Sequence, residues 1–236
     1  MQLTQSVSTH TGNRVYIDPE GFRYPSVSTL AGFFFNSYSI FKWKRKVGYA
    51  EAERIMRESC DRGTRIHAAI ETNTLTGDDE LDQYVEQYQT KIAPYLEIHH
   101  QEIVLGHVTP EGYRMAGTCD LIGKWGGELI IGDWKTSPKS KNKNFMGRYS
   151  LQLAAYSHSY ETHSDTGIIF NLTPNDAHIF HIPLELPKQV LLERVLPAFY
   201  RFYQTPEPRG WPNAFEGMGA FLQQFEKELA KTITVS

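Results

Sequence analysis

Residues able to carry metal and acid–base chemistry gather in one stretch, Ala116 to Ser137, which reads A-G-T-C-D-L-I-G-K-W-G-G-E-L-I-I-G-D-W-K-T-S. Gly126-Gly127 stands between two apolar runs, and a glycine pair there supplies the positive φ angles of a two-residue hairpin turn. With Trp125 paired to Glu128, counting outward sets Asp120 opposite Asp133, so both carboxylates are expected on one face. Strand periodicity adds Lys135 to that face, two residues beyond Asp133. Like charges facing each other across a ladder destabilise it unless something positive lies between them. A divalent cation answers that need, because carboxylate oxygens are the hard ligands Mg²⁺ prefers and a neighbouring ammonium can hold water or a phosphate oxygen.

The elements that must position these groups follow from pattern. A meander of at least three strands is expected at about 102–108, 113–124 and 128–135, with a Pro110-Glu111-Gly112 turn inside it. Glu102 opens its first strand; it could lie near the acidic pair or be an ordinary surface residue at a strand end. Upstream, Ser26 to Thr29 offers an N-cap before the aromatic run Phe33-Phe34-Phe35, which reads as core. Residues 1 to about 14 are polar and aperiodic and read as a loosely held arm. Helical text from Ala50 to Cys60 is followed by Asp61-Arg62-Gly63-Thr64, which resembles a break and a new cap before a second helix over Arg65 to Thr72. His67 and Glu71 share a face of that helix, although a single His is more often structural than a ligand. A further helix spans Asp78 to Tyr95.

Beyond Ser137, a polar basic loop, Pro138 to Asn144, carries Lys139, Lys141 and Lys143. A cation-rich loop next to a metal site can lead an anionic polymer toward it. The next helix, about 149–161, puts Gln152 and Tyr156 on one side at i and i+4. A second hairpin, Thr166 to Leu172 with Ala177 to Ile182, precedes a helix over Pro187 to Tyr203, a linker with Pro206, Pro208 and Pro212, and a last amphipathic helix, Ala214 to Lys231, whose stripe begins at Phe215. The run Lys42-Trp43-Lys44-Arg45-Lys46 could meet a phosphate backbone with its indole on a base, or be a solvated helix face with one anchoring Trp.

Composition narrows the class. The chain has 236 residues, 40% hydrophobic, 13% aromatic and 22% charged, without a shift between halves, so one domain over 1–236 is expected. No apolar run reaches membrane-spanning length and no signal-peptide pattern opens the chain, which points to a cytoplasmic protein without a membrane partner. Cys60 and Cys119 belong to no CxxC pair, so a four-cysteine iron–sulfur cluster is not expected. A net charge of −3 argues against a general nucleic-acid coat while leaving room for local basic strips.

Taken together, Gly117-Thr118-Cys119-Asp120, Ile131-Gly132-Asp133-Trp134-Lys135-Thr136-Ser137 and Gln152-Leu153-Ala154-Ala155-Tyr156 resemble the RecB-like branch of the PD-(D/E)xK nucleases. The likeness extends to Tyr24-Pro25-Ser26-Val27-Ser28 and to Arg62-Gly63-Thr64-Arg65-Ile66-His67, covering roughly 24–172. Within that branch the text is most similar to the mitochondrial genome maintenance exonuclease and its phage and bacterial relatives, which would place it in a bacterial or phage-infected cell. The resemblance implies an α/β (α+β) fold with a restriction-endonuclease-like core: a central mixed sheet with an antiparallel meander, flanked by helices. It implies a mainly helical N-terminal region (1–100), a catalytic core (101–183) and C-terminal helices (184–236).

Carried over residue by residue, the resemblance implies that Asp120, Asp133, the Trp134 carbonyl and His67 bind Mg²⁺ or Mn²⁺, with Glu102 as an extra acidic member. Lys135 would orient or deprotonate the attacking water, and Gln152 and Tyr156 would fix Lys135, water or the scissile phosphate. The implied activity is a metal-dependent exonuclease of DNA, single-stranded and with a free end; rings and monomers both occur in the superfamily, so the oligomeric state stays open, with a monomer slightly favoured. The cations at Lys42, Lys44, Arg45, Lys46, Lys139, Lys141, Lys143 and Arg148, with Trp43, would grip DNA. A flap or nicking endonuclease and a non-catalytic nucleic-acid-binding recombination partner are the alternatives.

Overall fold

The computed structural model describes residues 2–7, 14–35, 38–204 and 218–236. The 206–212 proline linker and Phe215 lie outside these residues, as does the side chain of Phe34. The sheet that carries the carboxylates has six strands in the order β4 (Leu96–Val108), β5 (Arg114–Trp125), β6 (Glu128–Thr136), β7 (Thr166–Leu172), β8 (Ala177–Pro183) and β9 (Thr234–Val235). Neighbours are antiparallel except β6 and β7, which run parallel and are joined by the crossover helix α5 (Gly147–Ser159). This is the expected mixed sheet with a meander, flanked by helices.

Apolar side chains leave both faces of the sheet, so two cores form. One lies under α3 (Tyr49–Thr72) and α4 (Asp79–Lys91), where Ile66, Ile70, Val85 and Tyr88 meet Leu121, Ile130, Trp134 and Phe170. The other lies under α5, where Leu151 and Ala154 meet Met115, Cys119, Ile122 and Ile131. Three further helical segments close this second core. They are α1 (Val27–Phe35), the run from α6 (Glu185–Val190) through a π-helical turn into α7 (Leu196–Gln204), and α8 (Met218–Thr232). Leu222, Phe225 and Leu229 of α8 are buried there, so its apolar stripe faces inward. No described helix is long and apolar enough to cross a membrane.

Four expectations change. α3 is one helix of 24 residues with no break at Gly63. A helix-interior glycine costs about 1 kcal/mol, and burial of Ala52, Ile66, Ala69 and Ile70 on the same helix outweighs it. The N-terminal region carries its helices from Val27 onward but opens on strands: β1 (Thr4–Val7), β2 (Arg14–Ile17) and β3 (Arg23–Pro25) form an antiparallel sheet. The polar arm is thus held in part, because the fully buried Tyr16 and Tyr24 anchor it over Ala116. β4 starts at Leu96, so Glu102 lies within a strand instead of opening one. The helix expected to reach Tyr95 stops at Lys91 and continues as a 3₁₀ turn at Ala93–Tyr95, where Pro94 removes a donor.

Candidate metal centre

The hairpin sets the site. Gly126 and Gly127 have φ of 60° and 88°, and Trp125 pairs with Glu128, the register of a two-residue turn. The ladder runs inward to Leu121↔Gly132, and one more step brings Asp120 across from Asp133. On the other side of β5, the pairs Gln101↔Leu121 and Ile103↔Cys119 bracket Glu102 and Asp120, which puts those two at the same level. Glu102, Asp120 and Asp133 therefore form one row across three strands. Their side chains are 41%, 16% and 6% exposed, so the row descends from solvent at Glu102 to the interior at Asp133.

The sheet is irregular at this row. Glu102 has φ of 47°, a left-handed conformation that costs a non-glycine residue about 1 kcal/mol or more. Cys119 and Ile122 both enter the core under α5, although three residues apart they should face opposite ways, so β5 changes face between them. The shared face expected for the two carboxylates is lost in part as a result. Asp133 lies with Lys135 and Ile131 on the α5 side, whereas Asp120 turns in plane and accepts the Trp134 N–H at 3.0 Å. In a two-residue hairpin the backbone of Trp134 points toward β5. The Asp120 side chain replaces the missing strand donor–acceptor pair and leaves the Trp134 carbonyl to other partners.

Those partners converge from two elements. From α3, His67 Nε2 lies 3.2 Å from the Trp134 carbonyl oxygen, while Nδ1 lies 3.7 Å from Glu102 and 3.8 Å from Asp120. From β6 itself, Lys135 donates to that same carbonyl at 3.3 Å and pairs with Asp133. Possible ligand atoms of His67, Glu102 and Asp120 fall within 4.8 Å of one another; Asp133 does not join that group. A hard divalent cation suits this set: two carboxylates, an imidazole and a backbone carbonyl gather at one place, and of the charged groups there only Glu102 is exposed.

Charge states follow from burial and neighbours. Burial pushes the Asp133 carboxyl up to about 6 despite the Lys135 ammonium beside it. Burial disfavours the Lys135 ammonium, but Asp133 and Asp120 outweigh it and raise that group. Burial likewise pulls His67 down, and Glu102 and Asp120 turn the balance upward.

The remaining expected residues fall into distinct places. Gln152 and Tyr156 are buried on α5, but neither bonds to Lys135. Tyr156 lies across Gly117, where a Cβ would come within 2.8 Å of its ring; this close approach is why glycine stands three residues before Asp120. Tyr149, unmarked in the sequence reading, holds the place against Lys135: the Lys135 and Lys141 ammonium groups each lie 5.3 Å from its ring centre. Its signal was available, an aromatic one helical turn before Gln152. Asn171 of β7 was also missed. It accepts the Lys141 N–H at 2.8 Å and donates to Ser137 at 2.8 Å, tying the basic loop to the sheet. Arg148 packs over Gly32 of α1 instead of reaching out with the loop, because the guanidinium fills the space a side chain there would take. Lys42, Trp43, Lys44, Arg45 and Lys46 sit on α2 (Tyr38–Val47), and His67 lies about five turns into the following helix.

Compared with known proteins, residues 78–197 match the family described as the PD-(D/E)XK nuclease superfamily. No curated protein matches the chain. Among solved structures, one titled "Crystal structure of SSO0001" is similar at 16% identity with a TM-score of 0.46, over 79% of each chain.

Proposed function

We propose that this chain, which belongs to the PD-(D/E)XK nuclease superfamily, is a Mg²⁺- or Mn²⁺-dependent deoxyribonuclease that hydrolyses single-stranded DNA from a free end. The observation that carries the reading is the row of Glu102, Asp120 and Asp133 meeting His67 at the Trp134 carbonyl, three carboxylates against the one ammonium of Lys135. Glu102, Asp120, His67 and the Trp134 carbonyl would hold the cation, with Asp133 next to them. A bound divalent ion supplies a water of lowered pKa and neutralises charge that develops on the phosphoryl oxygens.

The chain's own groups do the rest. Lys135, kept in its charged form by Asp133 and Asp120, has no lone pair for a proton; it donates hydrogen bonds and so orients water or a phosphate oxygen. Tyr149 backs that ammonium with its ring and limits the directions it can take. Gln152 and Tyr156 stand on the same helix and are proposed to meet water or the scissile phosphate, while Lys139, Lys141 and Lys143 draw the strand in. The choice of a single strand and a free end is supported by the motif resemblance to the RecB-like branch. The whole span is proposed to work as one domain.

Digestion of 5′- and 3′-labelled single strands beside a circular single strand, with and without Mg²⁺ or Mn²⁺, tests the reading. Metal-dependent loss of the linear strands with the circle intact is expected, and Asp133→Asn should lower the rate by on the order of 10³-fold. Cutting of the circle would turn the reading to an endonuclease. Failure to cut any DNA with either metal would leave a nucleic-acid-binding protein without the activity.

A further inference from the structure

Beyond the site, the basic loop runs into a groove that the sequence motifs do not mark. After Lys141, the chain forms a 3₁₀ turn at Lys143–Phe145 that packs on α8. A groove of about 560 Å³ opens between them, lined by Lys143, Asn144, Gln224, Lys227, Ala230 and Lys231. Its lining holds three ammonium groups and no carboxylate. Lys143, Lys227 and Lys231 make no ion pair among the described residues. The acids of the same helix have other partners: Glu226 accepts the Gly147 backbone N–H, and Glu228 accepts from Gln224 of the lining at 2.6 Å. Uncompensated cations held together on two elements repel one another, and that repulsion is relieved when an anion binds.

Two features narrow the anion to a polymer of one kind. Phe145, the residue after Asn144, is 68% exposed, a large ring left in water beside the cations. Lysines that track phosphates together with an exposed aromatic that stacks on a base form the pattern by which single strands are bound without sequence preference. The basic loop links the groove to the site: Lys135 and Lys141 share the Tyr149 ring, and Lys143 of the groove follows two residues later. We infer that the groove between the 3₁₀ turn and α8, with Phe145, is a track for single-stranded nucleic acid leading to or from the carboxylate row. The direction of that track rests on the nuclease reading; the binding itself does not.

Fluorescence anisotropy of a labelled oligothymidylate, measured in EDTA over a range of salt, tests the track. Lys227→Gln with Lys231→Gln should weaken binding and flatten the slope of log K against log salt by about 1.4, from roughly 0.7 per lost phosphate contact. Phe145→Ala should weaken binding about tenfold with the slope unchanged. Wild-type affinity and slope in both variants would overturn the track. Equal losses on a blunt duplex would overturn the single-strand assignment. Because cleavage is silent in EDTA, the two readings fail separately. A protein that cuts DNA while these variants bind normally loses the track alone, and one that binds through the groove yet cuts nothing loses the nuclease reading alone.

Discussion

Two hairpins lie side by side in the main sheet and were built to different ends. In β7–β8 the ladder is unbroken from Thr166↔Pro183 to Leu172↔Ala177, and its side chains are mostly apolar and buried on both faces. In β5–β6 the ladder starts just as regularly at Trp125↔Glu128 and stops at Leu121↔Gly132. Beyond that point β5 changes face, Asp120 bonds to backbone, and Glu102 on the next strand takes a positive φ. The regular hairpin keeps seven consecutive residue pairs in register. The interrupted one gathers a carbonyl and three carboxylates around His67 and Lys135. The possible metal ligands therefore gather where β-pairing is interrupted, next to a hairpin whose pairing is intact.

That contrast can be broken most forcibly by exchanging where the damage falls. Lys135→Ala should lower DNA cleavage by on the order of 10³-fold while the protein stays folded. Phe170→Ala, a single layer away in the regular hairpin and packed on Trp134, should cost about 3–5 kcal/mol of stability in denaturant unfolding. If Phe170→Ala proved as stable as wild type, the packing of the regular hairpin on Trp134 would not hold the sheet.

The next effect is on metal affinity. Asp133 and His67 both have folded-state pKa values raised above their unfolded ones. Their contribution to the stability of the metal-free protein is therefore complete below the unfolded values. It fades as pH rises through the folded ones, near 6 for Asp133. A cation competes with those protons. Calorimetric titration with Mn²⁺ should show tighter binding as pH rises from about 5 to about 7, by up to roughly tenfold per unit for each proton released. Equal heats in buffers of different ionisation enthalpy would mean that no proton leaves and that neither group is displaced.

The smallest effect concerns strain. Glu102→Gly should raise the stability of the metal-free protein by about 1 kcal/mol, since glycine takes the positive φ freely, while weakening Mn²⁺ binding. A melting temperature that falls instead would show that Glu102 is held there by contacts worth more than the strain.

Much of this was legible before any coordinates. The Gly126-Gly127 pair locks a two-residue turn, and a locked turn fixes every later pairing by counting, which is why the level of Asp120 and Asp133 could be read from text. Lys135 followed from strand periodicity. Other features resisted. Asp61-Arg62-Gly63-Thr64 has the composition of a helix end, but composition is a weak local preference and the burial of Ile66, Ala69 and Ile70 against one face of the sheet overrides it. Thr4–Val7 has no alternation to announce a strand; it pairs because Tyr16 and Tyr24 bury beneath it. Arg148 looked like one more cation of a basic stretch, and only the glycine opposite it on α1 turns it inward.

By itself, the sequence determined the hairpin, its register and the set of groups able to bind a cation, because turn geometry and two-residue periodicity are local. Which of those groups meet was decided only in three dimensions. His67 arrives from a helix more than fifty residues before Asp120 and chooses Asp120 and Glu102, not Asp133, because β5 changes face at that level. Tyr149, Asn171 and the lysines of α8 join the neighbourhood through packing between elements distant in the chain, and no local preference encodes a contact of that kind.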